Sequence, residues 1–258
     1  MLALFCLRLA LGLLAALLTL AGVAGSVNPR FYRVHFLVVL GLAALVLLDV
    51  RATAPTAAIV LLSAGLVLAF AGSFSWSLEG APGGRTLIVL TTATLAAALV
   101  VLETIPSPPV GPVLRSGPPW PATLVGDFTS AALLGAVMTA MLLGHNYLVA
   151  PSMSIRPLMT LLVAITVTTL LRGAVDGYAL WDWTRSHSLD NLGNDLLLWL
   201  PVRWLLGIIA PLGLNAMVWQ TAKIRSTQSA TGILYVLVIF CLLGELTGQL
   251  LREPGLTL

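Results

Sequence analysis

Six polar or charged residues sit inside long apolar runs of this chain: Asp127, Arg172, Asp176, Arg203, Glu245 and Gln249. An ionised side chain at the centre of a bilayer costs several kcal/mol, so each is a candidate for chemistry. Arg172 and Asp176 are four residues apart, one helical turn, and can pair. Glu245 and Gln249 have the same spacing, and Arg203 follows closely on Pro201. If the runs are helices that cross a membrane, all six arrive at one depth in the second half of the chain. Opposite charges gathered there offset one another's desolvation, which a lone charge could not do. Such a set serves either as ion pairs between helices or as a polar cavity for a proton, a quinone headgroup or a small solute.

Two weaker signals accompany it. Pro211 falls in mid-run and removes a backbone hydrogen bond, and Asn215 one turn later is placed to fill the freed carbonyl. On the other side of the membrane, His35 opens one run and His145 closes another within Gly144-His145-Asn146-Tyr147. Two histidines at one depth on facing helices could ligate a b-type haem. No GxSxG, HExxH, phosphate-loop or CxxC pattern occurs, and no DxxxD motif lies in a loop. A membrane enzyme acting on lipid or prenyl substrates is therefore disfavoured.

The elements that must position these residues are set by composition. Hydrophobic residues make up 59% of the 258 and charged residues 9%, and mean hydropathy is +1.01. A spanning helix needs roughly 20 mostly apolar residues, because about 30 Å of hydrocarbon is crossed at 1.5 Å per residue. Eight stretches qualify: 2–25, 34–50, 57–77, 86–104, 122–149, 157–178, 200–222 and 229–251. The expectation is an all-α, polytopic membrane bundle. The second stretch is the shortest. Asp127 and His145 bracket the fifth, about 27 Å apart along a helix, so they cannot share a site.

Residues 105–121 carry seven prolines and read as a semi-stiff extended spacer. They divide the chain into a first four-helix half, 1–104, and a second, 122–258. The segment 179–199 reads as a loop whose tryptophans suit the headgroup layer. Its Trp181-Asp182-Trp183, with His187 nearby, is similar over three residues to the tryptophan-rich haem-handling loop of cytochrome c assembly proteins. That family has a longer run flanked by histidines on both sides, which this chain lacks, so no function is carried over.

Residues 2–25 end in small residues, as at a signal-peptidase site, but Arg8 falls inside the apolar run and the segment reads as a retained span. Arg8 is expected to snorkel to the near interface. Cys6 and Cys241 lie in apolar runs and read as small hydrophobes. Gly244 with Gly248, Gly65 with Ala69, and Gly12 with Ala16 have the spacing that permits close helix approach. No basic run gives a footprint for nucleic acid.

Connections on one side carry Arg30, Arg33, Arg85, Arg156, Lys223 and Arg225. The other side carries Arg51, Arg115, Arg185 and Arg252, with Arg172 at a helix end. Positive-inside places the first set in the cytoplasm and both termini outside a bacterial-type inner membrane. The functional expectation is a non-catalytic anchor or quinone-facing subunit of a redox or energy-coupling assembly, with a lipid bilayer and other membrane subunits as its partners. The alternatives are a small proton-coupled transporter and a bis-histidine haem b protein. The main cavity is expected among spans five to eight, opening toward the Trp-rich segment. Location reporters fused at residues 80 and 154 should read one side, and at 117 and 190 the other. Disagreement between 117 and 190 would overturn the span count.

Overall fold

Each apolar run satisfies its backbone polar groups internally by becoming a helix, the only open-chain solution available in hydrocarbon. A computed structural model describes residues 2–22, 27–78, 80, 82–104, 120–150, 153–186 and 194–252. The helices are α1 (Leu2–Gly22), α2 (Pro29–Val50), α3 (Thr56–Ser75), α4 (Gly84–Thr104), α5 (Trp120–Val149), α6 (Arg156–Ser186), α7 (Asn194–Trp204), α8 (Ala210–Lys223) and α9 (Thr227–Arg252). A π-helical turn, Leu205–Ile209, joins α7 to α8. With α7 and α8 continuous, eight helical segments are long and apolar enough to span a membrane. The fold is an all-α helix bundle of the polytopic membrane type.

Two boundaries differ from the sequence expectation. The second span is not short: the Asn28 side chain accepts from the Arg30 amide, and Pro29 occupies the first turn, where its missing N–H costs nothing. The sixth span does not stop at residue 178, so Trp181-Asp182-Trp183 lies on helix rather than in a loop. There the Arg185 guanidinium sits 3.7 Å above the Trp181 ring, one turn away. The first span is described through Gly22; residues 23–26 lie outside the described residues, as do 105–119 of the proline-rich spacer and His187.

Contacts fix the directions of the helices. Arg8 and Gly12 of α1 meet Asp127 and Ala131 of α5 in the same order, so these two run parallel. Ser130 meets Glu245 while Gly144 meets Thr231, so α5 and α9 run antiparallel. The start of α1 and the end of α9 therefore share one end of the bundle, called upper below. Arg252 reaching the Asp127 that Arg8 holds states the same fact.

α1 is the hub. Leu7, Ala10, Leu13, Leu14 and Leu17 are fully buried, and the helix packs against α2 and α4 on one side and most extensively against α5 on the other. By packing on α2, α4 and α5, α1 joins the first four helices to those that follow the proline-rich segment. The α1–α5 crossing needs small residues: a β-carbon at Gly12 would overlap the Ala131 carbonyl, and one at Gly135 would overlap the Gly12 backbone. Outward faces carry large apolar side chains such as Val60, Val67, Phe70 and Phe74 of α3, as a lipid-facing surface requires. The free thiols of Cys6 and Cys241 are both buried.

Gly12→Leu or Gly135→Leu should force α1 off α5, an overpacking cost of at least about 1–3 kcal/mol. Thermal unfolding in detergent should show a lowered midpoint for both. Gly41→Leu, at a glycine with open space around it, should leave the midpoint unchanged.

A candidate site in a buried charged layer

Six ionisable side chains meet at one depth, which in α1, α5 and α9 lies about 9–11 Å below the upper helix ends at 1.5 Å per residue. Arg8 lies six residues into α1, and Glu245 seven residues before the end of α9. Arg8, Asp127, Arg172, Asp176, Arg203 and Glu245 are each no more than 1% exposed. Three cations face three anions.

The contacts form two linked groups. In the first, Arg8 donates from Nε to Asp127 Oδ1 at 2.9 Å, and its Nη2 engages the same oxygen. Arg252 adds Nη1 at 3.2 Å from that oxygen and reaches Glu103 Oε2 with Nη2 at 3.1 Å. Thr123 donates to Glu103 across 3.4 Å. In the second, Arg203 spans two carboxylates, donating from Nε to Asp176 Oδ2 at 2.8 Å and from Nη2 to Glu245 Oε1 at 3.0 Å. Arg172 pairs with Asp176 at 3.0 Å and donates to Glu245 at 3.3 Å. Ser130, one turn from Asp127, donates to Glu245 Oε2 at 2.6 Å and links the groups. Every buried carboxylate thus has at least one guanidinium partner, the condition under which such charge is tolerable in a low-dielectric interior.

Five of the six sequence candidates meet in this layer. The sixth, Gln249, lies one turn above Glu245, 6% exposed, and its Nε2 has no hydrogen-bond partner among the described residues. The expectation for Arg8 is overturned. It does not snorkel, because Asp127 offers a buried counter-charge nearer than the interface. Arg8 thereby brings the first group of helices into the layer. The sequence reading also missed Ser130, Glu103 and Arg252. The available signal was that Arg8, Gly12 and Ala16 recur every fourth residue on one face, as do Asp127, Ala131 and Gly135.

Backbone choices make room for the guanidinium groups. Gly207 in the π-helical turn packs on Gly244 of α9, and a β-carbon there would crowd Arg203 Nη1. Gly248 lies against both Arg203 and Arg172. The Gly244–Gly248 step is therefore a seat for two arginines as well as a helix contact. Pro211 falls in the first turn of α8, just after the π turn, inside the continuous seventh span. The Ala210 amide bonds to the Leu205 carbonyl across that turn.

Asn215 does not serve the Pro211 gap. Its Nδ2 crosses to α6, donating to the Leu162 carbonyl at 3.0 Å and to Thr166 Oγ1 at 2.8 Å. Beside it a groove of about 470 Å³ runs between α6 and α8, lined by Val163, Thr166 and Val167 opposite Asn215, Trp219 and Gln220. This groove lies in the lower half of the bundle. At the charged layer, guanidinium and carboxylate groups meet between the helices.

The histidines do not converge. His35 is fully buried, with Nδ1 2.9 Å from the Phe31 carbonyl and its ring 4.3 Å from the Phe31 ring. His145 is exposed on the outside of α5. Among the described residues no group of three His, Cys, Asp or Glu side chains is placed to hold a metal ion.

Arg203→Leu should strand Asp176 and Glu245 with Arg172 alone and cost about 3–5 kcal/mol. Thermal unfolding in detergent should register it as a large drop. Glu245→Gln keeps the shape and two acceptor–donor contacts, and should lower the midpoint less.

No family model, curated protein or solved structure is similar to this chain.

Proposed function

We propose that this protein is a non-catalytic integral membrane subunit, the anchor or quinone-facing part of a redox or energy-coupling assembly. The observation that carries this reading is the mutual pairing within the charged layer: its three carboxylates and three guanidiniums are held by one another across α1, α5, α6, α7 and α9. Groups so committed hold helices together and leave little to cycle during turnover. The described residues outside the helices are short turns, so bulk chemistry belongs to a partner, and other membrane subunits are its natural neighbours. The location that fits is a bacterial-type inner membrane with the upper end outside. Arg30, Arg33, Arg85, Arg156, Lys223 and Arg225 are all exposed at the lower end. Arg172, counted at the opposite side from sequence, is neutralised inside the layer and drops out of the balance.

A proton-coupled transporter is the second reading. It draws support from Asp127, whose Oδ2 is buried without a hydrogen-bond partner while Oδ1 takes all the guanidinium contacts. A bis-histidine haem protein draws none from the positions of His35 and His145.

Affinity purification from the native membrane in a mild detergent should recover the chain in a complex of fixed stoichiometry, with a partner bearing most of the extramembrane mass. A chain that purifies alone and, in proteoliposomes, moves protons with a solute would favour transport. A Soret band in the purified protein would restore haem.

A further inference from the structure

The groove between α6 and α8 is built differently from the charged layer, and it contains a group the rest of the fold does not use. Asn215 is 3% exposed and its Oδ1 has no hydrogen-bond partner. The orientation of the amide follows from its partners. Nδ2 faces the Leu162 carbonyl, which can only accept, so the oxygen is the free atom. Thr166 cannot help, because its one hydroxyl proton goes to the same Leu162 carbonyl at 3.1 Å. A buried acceptor in an apolar surround carries a penalty until a donor reaches it.

The rest of the lining says what kind of molecule would bring that donor. Val163, Val167 and Ala216 are exposed on the outer face of the bundle, so the groove is entered from the bilayer. Its ligand is therefore lipid-soluble. Trp219 supplies an aromatic wall against which a flat ring can stack. Gln220, exposed at the lower edge, offers both a donor and an acceptor near the interface. Asn215 lies about 12 Å above Lys223 along α8, a depth suited to a headgroup with its tail in the acyl region. Lys223 stands 5.7 Å from the Trp219 ring and marks the water side.

We propose that this groove is the headgroup site for an isoprenoid quinone in its hydroxyl-bearing, quinol form. The quinol hydroxyl donates to Asn215 Oδ1, the ring lies along Trp219, and the second ring oxygen meets the Gln220 amide. The inference deepens the quinone-facing reading above and rests on it, but only binding is assigned to this chain.

The probe is decylubiquinone titrated into the purified full chain in nanodiscs, read by tryptophan fluorescence quenching, with decylubiquinol and dioleoylglycerol as competitors. Saturable quenching is expected. Decylubiquinol should displace the quinone with a competition constant below the dissociation constant of decylubiquinone itself. Dioleoylglycerol, a hydroxyl donor without a ring, should not displace it. Asn215→Leu should weaken quinol binding about tenfold, the loss of one buried hydrogen bond, and remove the preference for quinol. Trp219→Phe should abolish most of the saturable quenching signal. Ala216→Trp fills the groove from an exposed position without touching the Asn215 bonds. It should abolish binding while leaving the unfolding midpoint unchanged, which guards against misfolding of the Asn215 variant. Non-saturable partitioning, binding indifferent to Ala216→Trp, or displacement by dioleoylglycerol would each overturn the site. None of these would bear on whether the chain purifies with a partner, so the subunit reading fails separately.

Discussion

Three guanidinium groups and three carboxylates are held out of water at one depth, and each helix that carries one must stay where its partners are. That constraint organises the bundle. A helix surrounded by lipid gains no hydrophobic drive toward its neighbours, since acyl chains are as apolar as leucine. What fixes the neighbours of α1, α5, α6, α7 and α9 is that withdrawing any one of them would leave an ion unpaired in hydrocarbon. The small residues serve this requirement. Gly12, Ala131 and Gly135 bring two backbones close enough for Arg8 to meet Asp127, and Gly207, Gly244 and Gly248 leave the volume that the Arg203 and Arg172 heads occupy.

The two polar regions of the molecule differ in kind. In the upper layer the polar groups are charged, enclosed and paired with opposite charge, and Arg252 with Glu103, each about 15% exposed, closes the layer toward the surface. In the lower groove the polar groups are neutral and few, one acceptor is left over, and the walls open on lipid. Enclosed charges paired with one another mark a structural device; an unpartnered neutral acceptor beside an apolar groove marks a place for a ligand. The π turn and Pro211 lie between them on the seventh span, above the stretch of α8 where Asn215 ties the helix to α6.

Much of this was legible in the sequence. Membrane-length apolar runs specify eight spans because bilayer thickness leaves little choice, and charged residues at a common depth specify a cluster because isolation is too costly. The rotational setting of the helices was not legible. Arg8 read as a snorkelling residue because its distance from the helix start was known and its facing was not; only packing on α5 points it at Asp127. Asn215 read as a patch for the Pro211 gap on the same reasoning by proximity in sequence, whereas packing turns its amide toward α6. The extension of α6 through Trp181 and Trp183 was hidden because polar and aromatic residues signal an interface without saying whether the backbone there is helix or loop.

The most direct test of the charged layer as a structural device is a double-mutant cycle between Arg8 and Asp127, read by thermal unfolding in detergent for Arg8→Leu, Asp127→Leu and the pair. If mutual compensation is what holds α1 to α5, each single variant will lose several kcal/mol. The double variant will then lose distinctly less than the sum, because no charge is stranded once both are gone. Strict additivity of the two losses would mean that the residues act independently, and would contradict the account.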